Sequence, residues 1–237
     1  MPKTQWREDP DVQTRIRQLG LRDEGQLQAW IIGRLAEHLA SSGRRAFGWD
    51  EILEGSNLPQ DATVISWRGN RGAITAVRRG HDVISAADDP AYLDYRQSDD
   101  DSEPIPMGVV NGVAEVFAFD PVPEGLDTGQ RAHVIGGQGN LWSEHLDTVR
   151  MHDYMLFPRL AALAEALWSA DTTGPRDLAD FELRLTEHLE RLAAMGIEYR
   201  PPPGPLPWQT RPGIPGRAYT RAARSARIAA LTANITD

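Results

Sequence analysis

His133-Val134-Ile135-Gly136-Gly137-Gln138-Gly139-Asn140-Leu141-Trp142-Ser143-Glu144 is the stretch on which the fold turns. A short apolar, β-branched run passes through glycines into a loop that carries Asn, Trp and Glu. That is the signature of a buried strand opening into a polar, aromatic end. Three earlier segments follow the same plan. Arg45-Ala46-Phe47-Gly48-Trp49 runs into Asp50-Glu51, Thr63-Val64-Ile65-Ser66-Trp67 runs into Arg68-Gly69, and Asp82-Val83-Ile84-Ser85 precedes Tyr92-Leu93-Asp94-Tyr95.

Helical patterns surround these strands. Leu27, Trp30, Ile31, Leu35 and Leu39 recur at helical spacing over about 22–41, with Asp23 and Glu24 at the start and Gly43 past the end. A short helix is predicted at 70–79 before Gly80, a long one at 150–168, and another at 177–195 stopping at Gly196. Strands alternating with helices or loops imply a parallel sheet with crossover connections. Long polar loops after the strands are the C-terminal face of a (β/α)8 barrel, where active sites are built. Four strands do not close a barrel, so the expected fold is α/β, a partial (β/α)8 TIM barrel.

Composition narrows the function. A formal charge of −9 argues against nucleic acid as a partner, because phosphate contacts need a basic surface. No stretch nears the roughly 20 apolar residues of a membrane span. The absence of cysteine removes disulfides and thiolate metal sites. Lys3 is the single lysine, so arginine supplies the other basic side chains. Met1-Pro2-Lys3-Thr4-Gln5-Trp6 carries no apolar leader, and localisation stays open.

Beyond residue 200 the composition changes. Pro201-Pro202-Pro203-Gly204-Pro205 reads as an extended segment. Arg217, Arg221, Arg224 and Arg227 follow at helical spacing among alanines. The expectation is one domain over 1–200 and a Pro-rich, then Arg/Ala-rich tail over 201–237, extended or disordered. A basic helix meeting a membrane or a partner is the competing reading.

Four clusters are expected at the ends of the four strands: Gly48-Trp49-Asp50-Glu51, Ser66-Trp67-Arg68-Gly69, Tyr92-Leu93-Asp94-Tyr95 and Gly139-Asn140-Leu141-Trp142-Ser143-Glu144. Indole faces beside carboxylates suit a sugar, whose apolar face stacks while its hydroxyls take charge-assisted hydrogen bonds. One such Trp is more often core than platform; four clusters in succession reverse that. Gly136-Gly137-Gln138-Gly139 is read as a close-packed strand end and not a phosphate loop, since no lysine follows. His38, His81, His133, His145, His152 and His188 form no ligand pair, and Asp99-Asp100-Asp101 lacks calcium-loop spacing, so no metal or other cofactor is expected.

The ordered set GWDE, SWRG, YLDY and GNLWSE, followed by FPRLAALAEALWS at Phe157–Ser169, resembles the family-20 glycoside hydrolases, the β-N-acetylhexosaminidases. The resemblance covers roughly residues 1–200 and implies about strands five to eight of a glycosidase barrel with their helices. It implies that Trp49, Trp67 and Trp142 wall the acetamido pocket and floor the terminal-sugar subsite. Tyr92 is then the hydroxyl donor to the acetamido oxygen, and Asp94 and Glu144 hold sugar hydroxyls. The implied partner is an N-acetylhexosamine-terminated glycan or chitin oligosaccharide, with the choice between the gluco and galacto sugar left open. The family mechanism is substrate-assisted: the acetamido oxygen attacks the anomeric carbon, a glutamic acid protonates the leaving oxygen, and the preceding aspartate orients the acetamido group.

In the family that Asp-Glu pair sits at the end of the fourth strand, in a motif resembling Gly-Gly-Asp-Glu-Val-Pro-Lys. Met1-Pro2-Lys3 matches its last three positions, with Met1 in place of the valine. The expectation is that this polypeptide carries no catalytic pair, is a fragment produced from an internal start, and is inactive alone. Asp50-Glu51 is the tempting substitute, but structural and supporting roles are expected for it, and Glu144 is not expected to act as a stand-alone acid. The alternatives are a non-catalytic sugar-binding module, a fragment complemented by a separately encoded N-terminal half across open strand edges, or the product of a truncated pseudogene.

Overall fold

The computed structural model describes residues 3–55, 58–105, 107–169, 176–214 and 216–235. Met1, read above as standing in for a family valine, lies outside them. In chain order the elements are α1 (Lys3–Glu8), α2 (Pro10–Gln18), α3 (Glu24–Ser41), β1 (Phe47–Trp49), β2 (Thr63–Ser66), α4 (Asn70–Arg78), β3 (Val83–Ser85), α5 (Asp88–Ala91), α6 (Val113–Phe117), α7 (Thr128–Arg131), β4 (Val134–Gly137), α8 (Val149–Leu156), α9 (Arg159–Trp168), α10 (Leu178–Ala194) and α11 (Arg221–Leu231). A 3-10 turn, Asp50–Glu54, follows β1.

Local chemistry sets the boundaries. The Asp23 carboxylate accepts from the Gln26 amide at 2.9 Å to open α3, and Asp177 accepts from the Ala179 amide at 2.9 Å to open α10. Thr148 opens α8 through the Met151 amide. The four strands lie in sequence order, β1-β2-β3-β4. β1 runs parallel to β2 with Trp49 opposite Ile65, and β2 runs parallel to β3 with Ser66 opposite Ser85. This is the sheet of a partial α/β barrel, as the strand–helix alternation predicts.

The chain divides into two compact units. The first comprises residues up to Ser85, Val122–Ile135 and the chain from Leu231. Its core is Leu53, Val64, Ala76, Val77, Val83 and Ile235. The second comprises Ala86–Pro121 and Gly136–Ala230. Leu93, Val116, Phe117, Leu163, Phe181 and Leu189 build its larger core, and Ile105, Tyr154 and Met155 a smaller one.

One side chain organises the second unit. Arg159 begins α9 and is completely buried. Its Nη1 donates to the carbonyls of Tyr95 at 2.8 Å and Asn111 at 2.7 Å, and its Nη2 to those of Leu93 and Met155. The Met155 carbonyl belongs to the last turn of α8, where no helical amide follows to bond it. Arg159 therefore caps one helix while beginning the next, and fixes the backbone on both sides of Asp94.

Three expectations change. The helix predicted over 150–168 is two helices, because Pro158 has no N–H to continue α8. The strands taken as buried are half-exposed at the sheet's outer members: Phe47 on β1 is 52% and Ile135 on β4 49% exposed. The segment over 201–237, expected to be extended or disordered, contains α11, and within it Gln209, Thr232 and Ile235 are buried.

Replacing Arg159 by Met removes four donors from buried carbonyls, each worth about 1–3 kcal/mol when orphaned. Chemical denaturation should show Arg159→Met destabilised by at least about 3 kcal/mol, and Arg159→Lys also weakened because an ammonium cannot span the four carbonyls. A loss below about 1 kcal/mol in Arg159→Met would show the network to be dispensable.

Candidate functional site

In the first unit the GWDE and SWRG segments interlock residue by residue. Asp50 is fully buried and its Oδ1 accepts from Arg68 Nε at 2.7 Å. Its Oδ2 accepts from the Arg68 amide at 3.2 Å and the Ser66 hydroxyl at 3.4 Å. Arg68 also donates to Glu54 Oε1 at 2.9 Å and the Leu231 carbonyl at 2.8 Å. A Cβ on Gly72 would fall 2.6 Å from Asp50 Oδ2, so only glycine lets α4 start this close to the carboxylate.

Glu51 takes the other pairing: both of its carboxylate oxygens accept from Trp67 Nε1, at 3.1 and 3.2 Å. The indole edge of Trp67 is thereby anchored, which sets the orientation of the ring. Burial pushes Asp50 up to about 6, against the pull of Arg68. Both carboxylates of the tempting pair are thus occupied in holding the fold. Trp49 and Trp67 are each half-buried at the ends of β1 and β2.

The second unit holds Tyr92, Asp94, Trp142 and Glu144. The YLDY segment does not leave β3 directly, since α5 intervenes. Tyr92 instead pairs with Asn140 in a parallel bridge, with the Leu93 amide donating to the Asn140 carbonyl at 2.7 Å. Several other backbone carbonyls of this loop are claimed. Asn111 Nδ2 donates to Pro90 and Tyr92, the Asn111 amide to Arg96, and Arg159 to Leu93 and Tyr95. Satisfying buried carbonyls in this way makes an irregular segment rigid.

On that frame the Tyr92 and Trp142 rings meet edge-to-face with centroids 6.0 Å apart. Tyr92 is buried, Trp142 is 40% exposed and Glu144 is exposed. Asp94 is half-buried, and its Oδ1 is enclosed with no hydrogen-bond partner. Burial raises its carboxyl from the ordinary 3.8 to about 7, opposed by backbone amides at Asp94 and Trp142 and by the charge of Arg159. A carboxyl poised at that value can serve as hydrogen-bond acceptor or donor near neutrality.

Gly137 and Gly139 are a close-packed strand end, as expected: a Cβ on either would fall within 2.5 Å of Leu167 or Leu163. Among the described residues no group of three acidic or His side chains is placed to hold a metal. An apolar groove of about 750 Å³ runs between α9 and α10, lined by Leu160, Trp168 and Leu185 among others, and none of the candidate residues lines it. Inspection of sequence missed Arg159, Asn111 and Arg68. Their signal was a lone polar residue inside an apolar motif, FPRLA or VVNGV, and a strand-end arginine following a strand-end carboxylate.

Residues 1–171 match the model of glycosyl hydrolase family 20, catalytic domain. The chain is 41% identical over 202 residues to a β-hexosaminidase of Porphyromonas gingivalis, covering 85% of this chain and 26% of that protein. It is 30% identical over 166 residues to a β-hexosaminidase of Vibrio furnissii, covering 69% of this chain and 27% of that one. The structure of a GH20 exo β-N-acetylglucosaminidase from Vibrio harveyi in complex with N-acetylglucosamine matches with a TM-score of 0.75 and 32% identity, over 83% of this chain and 31% of that chain. A chitobiase from Flavobacterium johnsoniae matches with a TM-score of 0.67 and 30% identity, over 81% and 28%. The chain thus spans roughly a quarter to a third of the lengths of the proteins it matches.

The raised Asp94 value has a signed consequence. Between pH 4 and about 7 the folded carboxyl keeps a proton that the unfolded chain has released, so stability falls as pH rises through that window and levels off above it. Asp94→Asn removes this slope. Melting temperatures from pH 4 to 8 should show the variant gaining on the wild type as pH climbs to 7; parallel profiles would contradict the buried, proton-holding carboxyl.

Proposed function

Because the chain belongs to glycosyl hydrolase family 20, we propose that it supplies the sugar-recognising part of a β-N-acetylhexosaminidase barrel, about strands five to eight. The residues that would contact a terminal N-acetylhexosamine are Tyr92, Asp94, Trp142 and Glu144, all in the second unit. The observation that carries this is the Asp94 carboxyl, held rigidly with one oxygen unpartnered in the same unit as the Tyr92–Trp142 pair. Aromatic edges and faces in the same unit as a carboxyl with one unpartnered oxygen are what a pyranose with an acetamido arm requires. The substrate class follows from the relatives, which are named as β-hexosaminidases and, in the Vibrio harveyi protein, an exo β-N-acetylglucosaminidase.

For chemistry the substrate's own acetamido oxygen would be the nucleophile, with a general acid and an orienting carboxylate beside it. Neither role fits a carboxylate in the first unit's strand-end motifs: Asp50 is ion-paired with Arg68, and Glu51 is committed to Trp67. In the second unit, Glu144 is exposed to solvent, not enclosed as a general acid is in its site. We therefore propose that residues 1–237 recognise the sugar and do not turn it over by themselves.

A complementing N-terminal half is the second proposal, favoured by the half-exposed apolar residues Phe47 and Ile135 on the outer strands β1 and β4. Unpaired strand edges of this kind seek a partner.

The test is hydrolysis of an aryl N-acetylglucosaminide by the purified polypeptide. Turnover should lie several orders of magnitude below that of the Porphyromonas gingivalis relative, because acid and orienting groups together are worth about that much. Adding the separately made N-terminal half of that relative should raise it. Family-level turnover by the polypeptide alone would overturn the proposal.

A further inference from the structure

Segment 217–224 lies beyond residues 1–171, the part matched by the family model, yet it is seated on the loop that carries Tyr92 and Asp94. Ala218 pairs with Gly108 in a parallel bridge, with the Gly108 amide donating to Arg217 and the Tyr219 amide to Gly108, both at 3.0 Å. Gly108 stands at φ +71, and a Cβ there would fall 2.3 Å from the Tyr95 ring, so the bridge is pressed against that ring. The Tyr95 hydroxyl donates to Asp88 Oδ2 at 3.1 Å, which leaves its oxygen to accept from the Tyr219 hydroxyl at 2.6 Å.

Two arginines close the arrangement. Arg224 Nε donates to Asp88 Oδ1 at 3.1 Å and its Nη2 reaches the same oxygen, with the Asp88 side chain only 3% exposed. Arg221 Nε donates to Asp89 Oδ2 at 3.0 Å and its Nη2 to the Val110 carbonyl at 2.8 Å. The aromatic rings continue the line. Tyr219 meets Tyr95 at 6.1 Å, Tyr95 meets Tyr92 at 5.6 Å, and Tyr92 meets Trp142 at 6.0 Å, all edge-to-face. A displacement of Tyr219 is therefore passed by contact to the candidate recognition rings, because close-packed rings cannot move independently.

We propose that segment 217–224 is a positioning strap for the Tyr92–Tyr95 loop, with Tyr219 and Arg224 as its positioning residues, and that it sets the loop's affinity for an N-acetylhexosamine. The second half of this rests on the sugar-recognition function proposed above. A strap that only anchored the chain would stabilise the fold without changing affinity in variants that remain folded.

The full chain, Tyr219→Phe, Arg224→Ala and Arg224→Lys are compared by three measurements. These are the melting temperature, hydrogen exchange over 88–95, and titration of tryptophan fluorescence with N-acetylglucosamine. Tyr219→Phe removes one hydroxyl from a folded protein; exchange over 88–95 should rise and affinity should fall about three- to tenfold, the worth of one hydrogen bond. Arg224→Ala should lose more, and Arg224→Lys should recover part of it. If Arg224→Ala does not fold, Tyr219→Phe decides alone. Wild-type exchange and wild-type affinity in the folded variants would overturn the strap. Absence of any sugar binding by the unaltered chain would instead overturn the recognition function, and the exchange arm would still decide whether the strap holds the loop.

Discussion

The buried guanidinium of Arg159 is the constraint around which the second unit is arranged. A planar cation with several fixed donors is placed where four carbonyls converge, and no carboxylate touches it among the described contacts. Moving such a charge out of water is costly, and it is tolerated here because each carbonyl it meets would otherwise be a buried orphan. Two of the four flank Asp94, one ends α8, and one belongs to Asn111, which in turn holds Pro90 and Tyr92. An irregular loop with no regular ladder on either side is given the rigidity of a strand. That rigidity is what the proposed recognition role of this loop needs, since misplaced ligand contacts lose most of their value.

The first unit solves the same problem differently. Successive residues after β1, Asp50 and Glu51, reach residues at the end of β2, Arg68 and Trp67, so the end of one strand orients the end of the next. Carboxylates that resemble a catalytic pair in sequence are consumed in this interlock. Asp50 meets a buried cation, and Glu51 meets an indole N–H that would otherwise swing. In the first unit, then, the Trp67 ring is placed by the carboxylate behind it, and in the second the Tyr92 backbone is held by Asn111.

Much of this was legible in the sequence. All four strands, helices α3, α4 and α10, and the close-packed glycines at the end of β4 follow from apolar periodicity and capping residues, which are local signals. What escaped was non-local. The break between α8 and α9 was visible in Pro158 but outweighed by the leucine repeat on both sides of it. Segment 217–231 looked like a solvated basic tail because Arg221 and Arg224 have no acidic neighbour in sequence; Asp88 and Asp89 lie more than 130 residues away and meet them only in the fold. Arg159 and Asn111 could be noticed as polar intruders in apolar motifs, but nothing local specifies which carbonyls they meet. The candidate residues Trp49, Trp67, Tyr92, Asp94, Trp142 and Glu144 came from the ordered motifs and not from periodicity.

Saturation-transfer NMR of N-acetylglucosamine and of glucose with the purified 237-residue chain tests most directly whether these side chains recognise an acetamido sugar. Strong transfer to the acetyl methyl of N-acetylglucosamine, lost in Trp142→Ala, with little transfer to glucose, is the predicted result. Equal or absent transfer to the two sugars would contradict it.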